Sequence, residues 1–263
     1  VIGREAGKSQ GTGNANVYLG SSAAYAATGG ANNIIAGHSA GNTNGGNYNV
    51  MFGRSAGCEI TSGNNNIVMG NVAYSCATTS SGTVALGYYA GQKACGSSSV
   101  FIGIDAAKNV QCGEDSVYIG RKAGTQGGTL ADNTGKENIM IGYCAGACGT
   151  SGSGNLSIGV NAGQQVTSGT CNTLLGYGAG DAITTGDNNV VIGHGADVAS
   201  ATGDKQFIIG CGSSWWICGD SSFNLFDKDG NALGGGFSQD DDANLVAGGS
   251  AGASLDGSNA CYN

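Results

Sequence analysis

Asn189-Val190-Val191-Ile192-Gly193 decides how this chain folds, because the same phrase keeps returning. Asn66-Ile67-Val68-Met69-Gly70 is another copy. With its closing glycine as an anchor, the series runs Gly3, Gly20, Gly37, Gly53, Gly70, Gly87, Gly103, Gly120, Gly142, Gly159, Gly176, Gly193 and Gly210. The spacings are 17, 17, 16, 17, 17, 16, 17, 22, 17, 17, 17 and 17 residues. A chain merely rich in glycine would not hold one period twelve times, so the repeat governs the reading of everything else.

The columns around the anchor differ in chemistry. The residue before it is apolar in all thirteen repeats, and the residue three before it in eleven of twelve, Thr173 being the exception. These columns are two apart, share one face of a strand, and are assigned to the core. The residue four before the anchor is Asn in eight of twelve repeats, which predicts an amide ladder from turn to turn. The third residue after the anchor is Ala in twelve of thirteen, usually followed by Gly, the mark of a tight corner. Each turn then returns through Ser, Thr, Gly and Asn, in places with one apolar residue such as Ile60, Val110, Val166 or Ile183. The pattern predicts one firm and one weaker strand per turn and no helix. The fold class is therefore all-β, a parallel β-solenoid of about thirteen 17-residue turns over residues 1–213.

The column two before the anchor should then point outward. It carries Tyr18, Ile35, Met51, Val68, Phe101, Tyr118, Met140, Leu174, Val191 and Ile208. A continuous apolar stripe marks an interface, so these residues are expected to pack three copies into a homotrimer. The alternative is a flattened core that buries both sides within one chain.

Composition agrees. Hydrophobic residues make up 40% and charged residues 11%, the reverse of a solvated coil, while the absence of proline excludes collagen. A net charge of −8 offers no basic patch to nucleic acid, and no apolar run is long enough to insert in a membrane. The start at Val1-Ile2-Gly3 is the tail of a repeat, so residues upstream are expected.

The period breaks in two places. About five extra residues within Thr125 to Thr134 predict a surface loop. After Gly210 the pattern dissolves: residues 214–236, with Trp215, Trp216 and a turn at Asp227-Lys228-Asp229-Gly230-Asn231, are expected to form a cap or transition with a hairpin. Residues 237–263, rich in Gly, Ser, Ala and Asp, are expected to be a linker or tail.

The phrase Asn189-Val190-Val191-Ile192-Gly193 resembles the head repeat of trimeric autotransporter adhesins, the YadA-type left-handed β-roll. The longer form, with Gly176-Tyr177-Gly178-Ala179-Gly180, looks still more like repeats in phage tail fibres and appendages, as does Trp216-Ile217-Cys218-Gly219-Asp220-Ser221-Ser222-Phe223-Asn224. The resemblance covers about residues 1–226 and implies a left-handed roll, a homotrimer and a virion-surface or extracellular location. The 17-residue period, the cysteines, and the lack of a coiled-coil neck or membrane anchor depart from the adhesins and favour the phage reading.

Ten cysteines are many for such a repeat. Cys58 and Cys76 lie five and six after their anchors, and Cys95 and Cys112 eight and nine, so each pair should stack on neighbouring turns as a disulfide or as buried thiols. Cys144 and Cys148 lack a second pair to complete a zinc site. His38 and His194 are too far apart along the repeat to share a metal. The segment 227–231 lacks the closing Glu of a calcium loop. No catalytic residue, metal or cofactor is assigned. Contact with a receptor, such as a host glycan or protein, is expected from the column after the anchor (Arg4, Arg54, Tyr88, Arg121, Tyr143, Tyr177), from the loop, and from Trp215 and Trp216, which otherwise cap the solenoid. The expected role is a structural fibre segment, a spacer joined to other fibre or baseplate proteins. The rivals are a bacterial trimeric adhesin head and an ice-binding solenoid, which would need a regular outward rank of Thr that this chain lacks.

Overall fold

The computed structural model describes residues 1–111, 113–125, 134–220, 222 and 224–227, and the backbone of 238–239 and 245–246. Its framework is one short strand per repeat: β1 (Val17–Leu19), β2 (Ile34–Ala36), β3 (Val50–Phe52), β4 (Ile67–Met69), β5 (Val84–Leu86), β6 (Val100–Ile102), β7 (Val117–Ile119), β8 (Ile139–Ile141), β9 (Leu156–Ile158), β10 (Thr173–Leu175), β11 (Val190–Ile192) and β12 (Phe207–Cys211). All are parallel, and equivalent residues pair, Val17 with Ile34 and Tyr18 with Ile35, through to Ile192 with Ile209. Eleven complete turns separate these twelve strands, and a bridge from Ile2 to Leu19 begins another. The chain is thus a β-solenoid with a repeat of about 17 residues.

The return is not a second strand. Ile60, Val166 and Ile183 are buried but belong to no strand. The return is instead tied rung to rung by backbone bonds such as Glu59 N–H to the Ser75 carbonyl and Thr150 N–H to the Thr167 carbonyl. The corner explains why no strand forms there. The second and fourth residues after most anchors are left-handed, as at Ser55 (φ 53°) and Gly57 (φ 57°), which folds the chain back too sharply for extended backbone.

The anchor needs glycine for two reasons. Gly159 has φ 137°, outside the range of L side chains, and a Cβ there would overlap the carbonyl of Gly176 on the next rung. Successive anchors meet in this way along the stack.

The core corrects the sequence reading. Tyr18, Ile35, Met51, Val68, Phe101, Tyr118, Met140, Leu174, Val191 and Ile208, expected on an interface, are buried inside one chain, Tyr18 at 1% exposure and Phe101 at none. The columns assigned to the core face outward: Val17 is 55% exposed and Leu19 48%. The inside of each turn holds one side chain from the strand, with the corner alanine (Ala23, Ala56, Ala123) beside it and, on some rungs, a second large residue such as Ile60, Tyr74, Val110 or Ile183. Ser157, buried in the same column on β9, lies between two apolar clusters, one ending near Ala145 and the other starting at Val166.

The Asn ladder is present, but its bonds are mainly to backbone. Asn33 Nδ2 donates to the Gly46 carbonyl at 2.8 Å, and Asn33 Oδ1 accepts from the backbone N–H of Asn49 at 2.8 Å. Amide-to-amide contacts are longer, as from Asn66 Nδ2 to Asn49 Oδ1 at 3.1 Å. The accepting carbonyls belong to a second glycine column, seven before the anchor (Gly30, Gly46, Gly63, Gly152, Gly169, Gly186).

At the C-terminal end β12 turns back into β13 (Ser214–Gly219), which pairs antiparallel with β12 and with β14 (Leu225–Asp227). Trp215, Phe226 and Val198 pack against Ile208 and Cys218 to close the core. The segment expected to be a linker contains β15 (Ser238–Gln239) and β16 (Leu245–Val246), paired antiparallel. The turn expected at 228–231 and most of the expected insertion, 126–133, lie outside the described residues.

Candidate functional site

Two surfaces run the length of the stack. The first is the outward face of the sheet, built from the residues three and one before each anchor. On β1–β12 these are 24 positions, of which only Thr173 is polar and none charged. Val17, Leu19, Ile34, Phe52, Ile67, Met69, Ile139 and Leu175 are among the most exposed large apolar side chains of the chain. At about 4.8 Å per rung, the face is roughly 53 Å long.

The second surface is the ridge along the edge of that face, where the residue after each anchor emerges. The expected contact residues Arg54, Tyr88, Arg121, Tyr143 and Tyr177 are all exposed here. The Arg121 guanidinium lies over the Tyr143 ring, 5.4 Å from its centroid, and Tyr177 stacks on His194 at 4.9 Å with an interplanar angle of 10°. Neighbouring Tyr89 holds Lys108 at 4.1 Å, and Lys108 pairs with Asp105 at 3.1 Å. Tyr177 and His194 are one rung apart, so their stacking runs from rung to rung and spends a ring face within the chain. The two tryptophans part company: Trp215 packs on the core end, while Trp216 is 67% exposed at the irregularity between β12 and β13.

The cysteines do not form the expected bond. Cys58 and Cys76 are both free thiols; they sit near one another, with Cys58 Sγ 3.5 Å from the Ser75 carbonyl and Cys76 Sγ 3.8 Å from Ser75 Oγ. Their one-residue difference in offset leaves Ser75 contacting both sulfurs. Cys95 Sγ donates to the Gln111 carbonyl at 2.7 Å, and its expected partner Cys112 lies outside the described residues.

Little else converges. Among the described residues no three His, Cys, Asp or Glu side chains group as metal ligands, Cys144 and Cys148 included. His38 Nδ1 lies 3.2 Å from Ser39 Oγ, but both are exposed neighbours in the chain. A cavity of about 390 Å³ beneath the cap is lined by Ile208, Trp215, Cys218 and Phe226. Its polar neighbours are already engaged: Gln206 bonds Ser200 and Gly203, and Asp220 accepts from Ser222 and Asn224. The threonine hydroxyls of the return, Thr150, Thr167 and Thr184, each donate to a carbonyl of the next rung, so they form no free rank for ice. Comparison with known proteins returned no match to a family model, a curated protein or a solved structure.

Sequence reasoning missed that the sheet turns its two-column side outward. The signal was available: the Asn column and the Tyr18-to-Ile208 column are two apart and so share one face, and a hydrogen-bonded amide ladder belongs inside.

Proposed function

We propose that this chain is a structural fibre segment, a rigid spacer in a virion appendage such as a phage tail fibre, rather than an enzyme. It works as a homotrimer at the virion surface or outside the cell, joined to other fibre or baseplate proteins, and exposed Tyr143 and Tyr177 with Trp216 contact a host glycan or protein. The observation that carries this reading is the unbroken parallel ladder from β1 to β12, in which strand, corner, Asn column and return are each bonded to the next rung. Such a stack has few local units that can open alone, so it holds its two ends at a fixed separation and gives proteases little purchase. The resemblance of the repeat to adhesin heads and phage appendages points the same way. Gold-labelled antibody against this chain on intact particles is the test. Labelling along a slender appendage is expected; labelling confined to a capsid interior or to the host cytoplasm would sink the reading.

A further inference from the structure

We infer that the outward face of the sheet is a self-association surface, and that what covers it is the same face of another copy of this chain. The inference names the interface of the proposed assembly, and it differs from the sequence expectation in every residue, because the stripe first expected to hold copies together is the core of one chain.

A stable protein interface takes about 20–30 residues a side, and this face offers 24 positions in two straight columns. It far exceeds the scattered apolar residues that a monomer leaves in water. Its chemistry fits a sheet rather than a pocket-shaped partner. Val, Ile and Leu dominate, no position is charged, and the pleat repeats at each rung, so equivalent faces of two or three copies pack rung by rung around a shared axis. The cap continues the surface: Ile209 pairs with Ile217, and Phe207 with Gly219 and then Leu225, which is 46% exposed.

The rims fit a second copy as well. Strands cross the face, so the residue five before an anchor lies on one rim and the residue after it on the other. The Gly120 rung carries exposed Asp115 on the first rim and exposed Arg121 on the second. Two copies related by rotation about an axis along the rod, whether twofold or threefold, bring opposite rims together at equal height. Asp115 of one copy then meets Arg121 of the next, giving a polar rim around an apolar centre.

The test is sedimentation of the whole chain at micromolar concentration. The wild type should be an oligomer. Phe52→Asp with Met69→Asp places two carboxylates on the face without touching the core and should give a monomer with unchanged far-ultraviolet circular dichroism. Glu59→Gln with Ser62→Ala, on the exposed return, should leave the oligomer intact. A wild-type monomer overturns the inference, as does an oligomer that survives Phe52→Asp with Met69→Asp. If the double variant loses its circular dichroism, Leu175→Lys is the second probe, and an unchanged mass there counts against the surface. A wild-type dimer split by these changes keeps the surface and removes the trimer from the proposed function. A trimer indifferent to them does the opposite.

Discussion

The hydroxyl of Tyr74 donates a 2.8 Å hydrogen bond to the carbonyl of Gly96, the position in the stack that an asparagine amide serves elsewhere. At the preceding rung Asn66 Nδ2 reaches the equivalent carbonyl of Ser80 at 2.9 Å. At the next rung the ladder residue is Thr83, whose shorter side chain comes only to 3.4 Å of Gly96. Tyr74 lies in the core and also meets Thr83 Oγ1 at 3.2 Å, so an aromatic from inside completes the ladder where Asn is missing. Tyr74, Phe101 and Tyr118 succeed one another at centroid distances of 6.2 and 5.8 Å, alongside the rungs where Thr83, Ser99 and Ser116 replace Asn.

Tyr74→Phe should therefore destabilise the chain by about 1–3 kcal/mol, the cost of leaving a buried carbonyl poorly satisfied. Adding Thr83→Asn should recover part of that loss by restoring the amide. Urea unfolding midpoints of the single and double variants measure both effects. Equal midpoints for wild type and Tyr74→Phe would show that the hydroxyl adds nothing.

Within the regular ladder the loss should be larger. Asn172 donates to the Gly186 carbonyl at 2.9 Å and accepts the Asn189 N–H at 2.9 Å, all buried. Asn172→Ala strands both groups, and at about 1–3 kcal/mol for each unsatisfied group it should cost roughly 2–6 kcal/mol by denaturant unfolding. Arg54→Ser, on the exposed ridge, should fall within about 0.5 kcal/mol of wild type.

Gly159 at an anchor and Gly178, two residues after the anchor Gly176, should differ sharply in how far they tolerate a methyl group. Gly159→Ala forces φ 137° on an L residue and drives Cβ into the Gly176 carbonyl, so the variant should lose its cooperative unfolding transition or fail to accumulate. Gly178 sits at φ 60° in a column that elsewhere holds Ser39, Ser55 and Lys122, and a Cβ there has no neighbour closer than 3.9 Å. Gly178→Ala should cost no more than about 1 kcal/mol.

The period, the strand phase and the parallel stacking were legible because each anchor glycine is fixed by geometry that no other residue meets. The inside and outside of the strand were not legible from apolarity alone, since both Val17 and Tyr18 are apolar. What decides between them is the Asn column, which lies two residues from Tyr18 and its equivalents and whose amides are bonded inside the turn. The glycines seven before the anchor recur as plainly as the anchors, yet their purpose shows only when the Asn33 amide is seen to reach the Gly46 carbonyl. The ridge residues were found because one column collects Arg and Tyr. The pairings Arg121 with Tyr143 and Tyr177 with His194 follow from rung spacing and could have been read with it.

The free thiols should label in an order set by burial. Cys76 is exposed, whereas Cys58 is half-buried and its thiol is pushed up by desolvation, then by Glu59 and Cys76. The thiolate is the reacting form, so at neutral pH an alkylating reagent should modify Cys76 well before Cys58 and leave buried Cys144 for last. Peptide mass mapping over a time course reads the order. Cys58 reacting as fast as Cys76 would contradict the packing around Ser75.

Asp181 provides a pH signature in the other end of the stack. One of its carboxylate oxygens is buried without a partner, and burial, then the charge of Asp197, hold its pKa above the ordinary 3.8. A carboxyl whose folded pKa is raised binds its proton more tightly in the native state than in the unfolded one. Its contribution to stability is therefore greatest below about pH 3.8 and declines as pH rises through the folded value. Glu5 and Asp220, whose pKa values are lowered by hydrogen bonds to Lys8 and Asn224, act in the opposite sense, so the signature is read as a difference between variants. Asp181→Asn removes the titration: its melting temperature should exceed that of wild type at pH 7 and converge with it near pH 3.5. Asp197 is a poorer probe because its carboxylate also accepts the Ala182 and Val198 N–H groups. A second readout is local. The Cys148 thiol is pushed up by burial, then by the Asp181 charge and Cys144, so Asp181→Asn should speed its alkylation at pH 8. Parallel melting curves across pH 3.5–8 for the two proteins, together with an unchanged Cys148 rate, would show that the Asp181 carboxylate is solvated and that the rung packs more loosely than its geometry indicates.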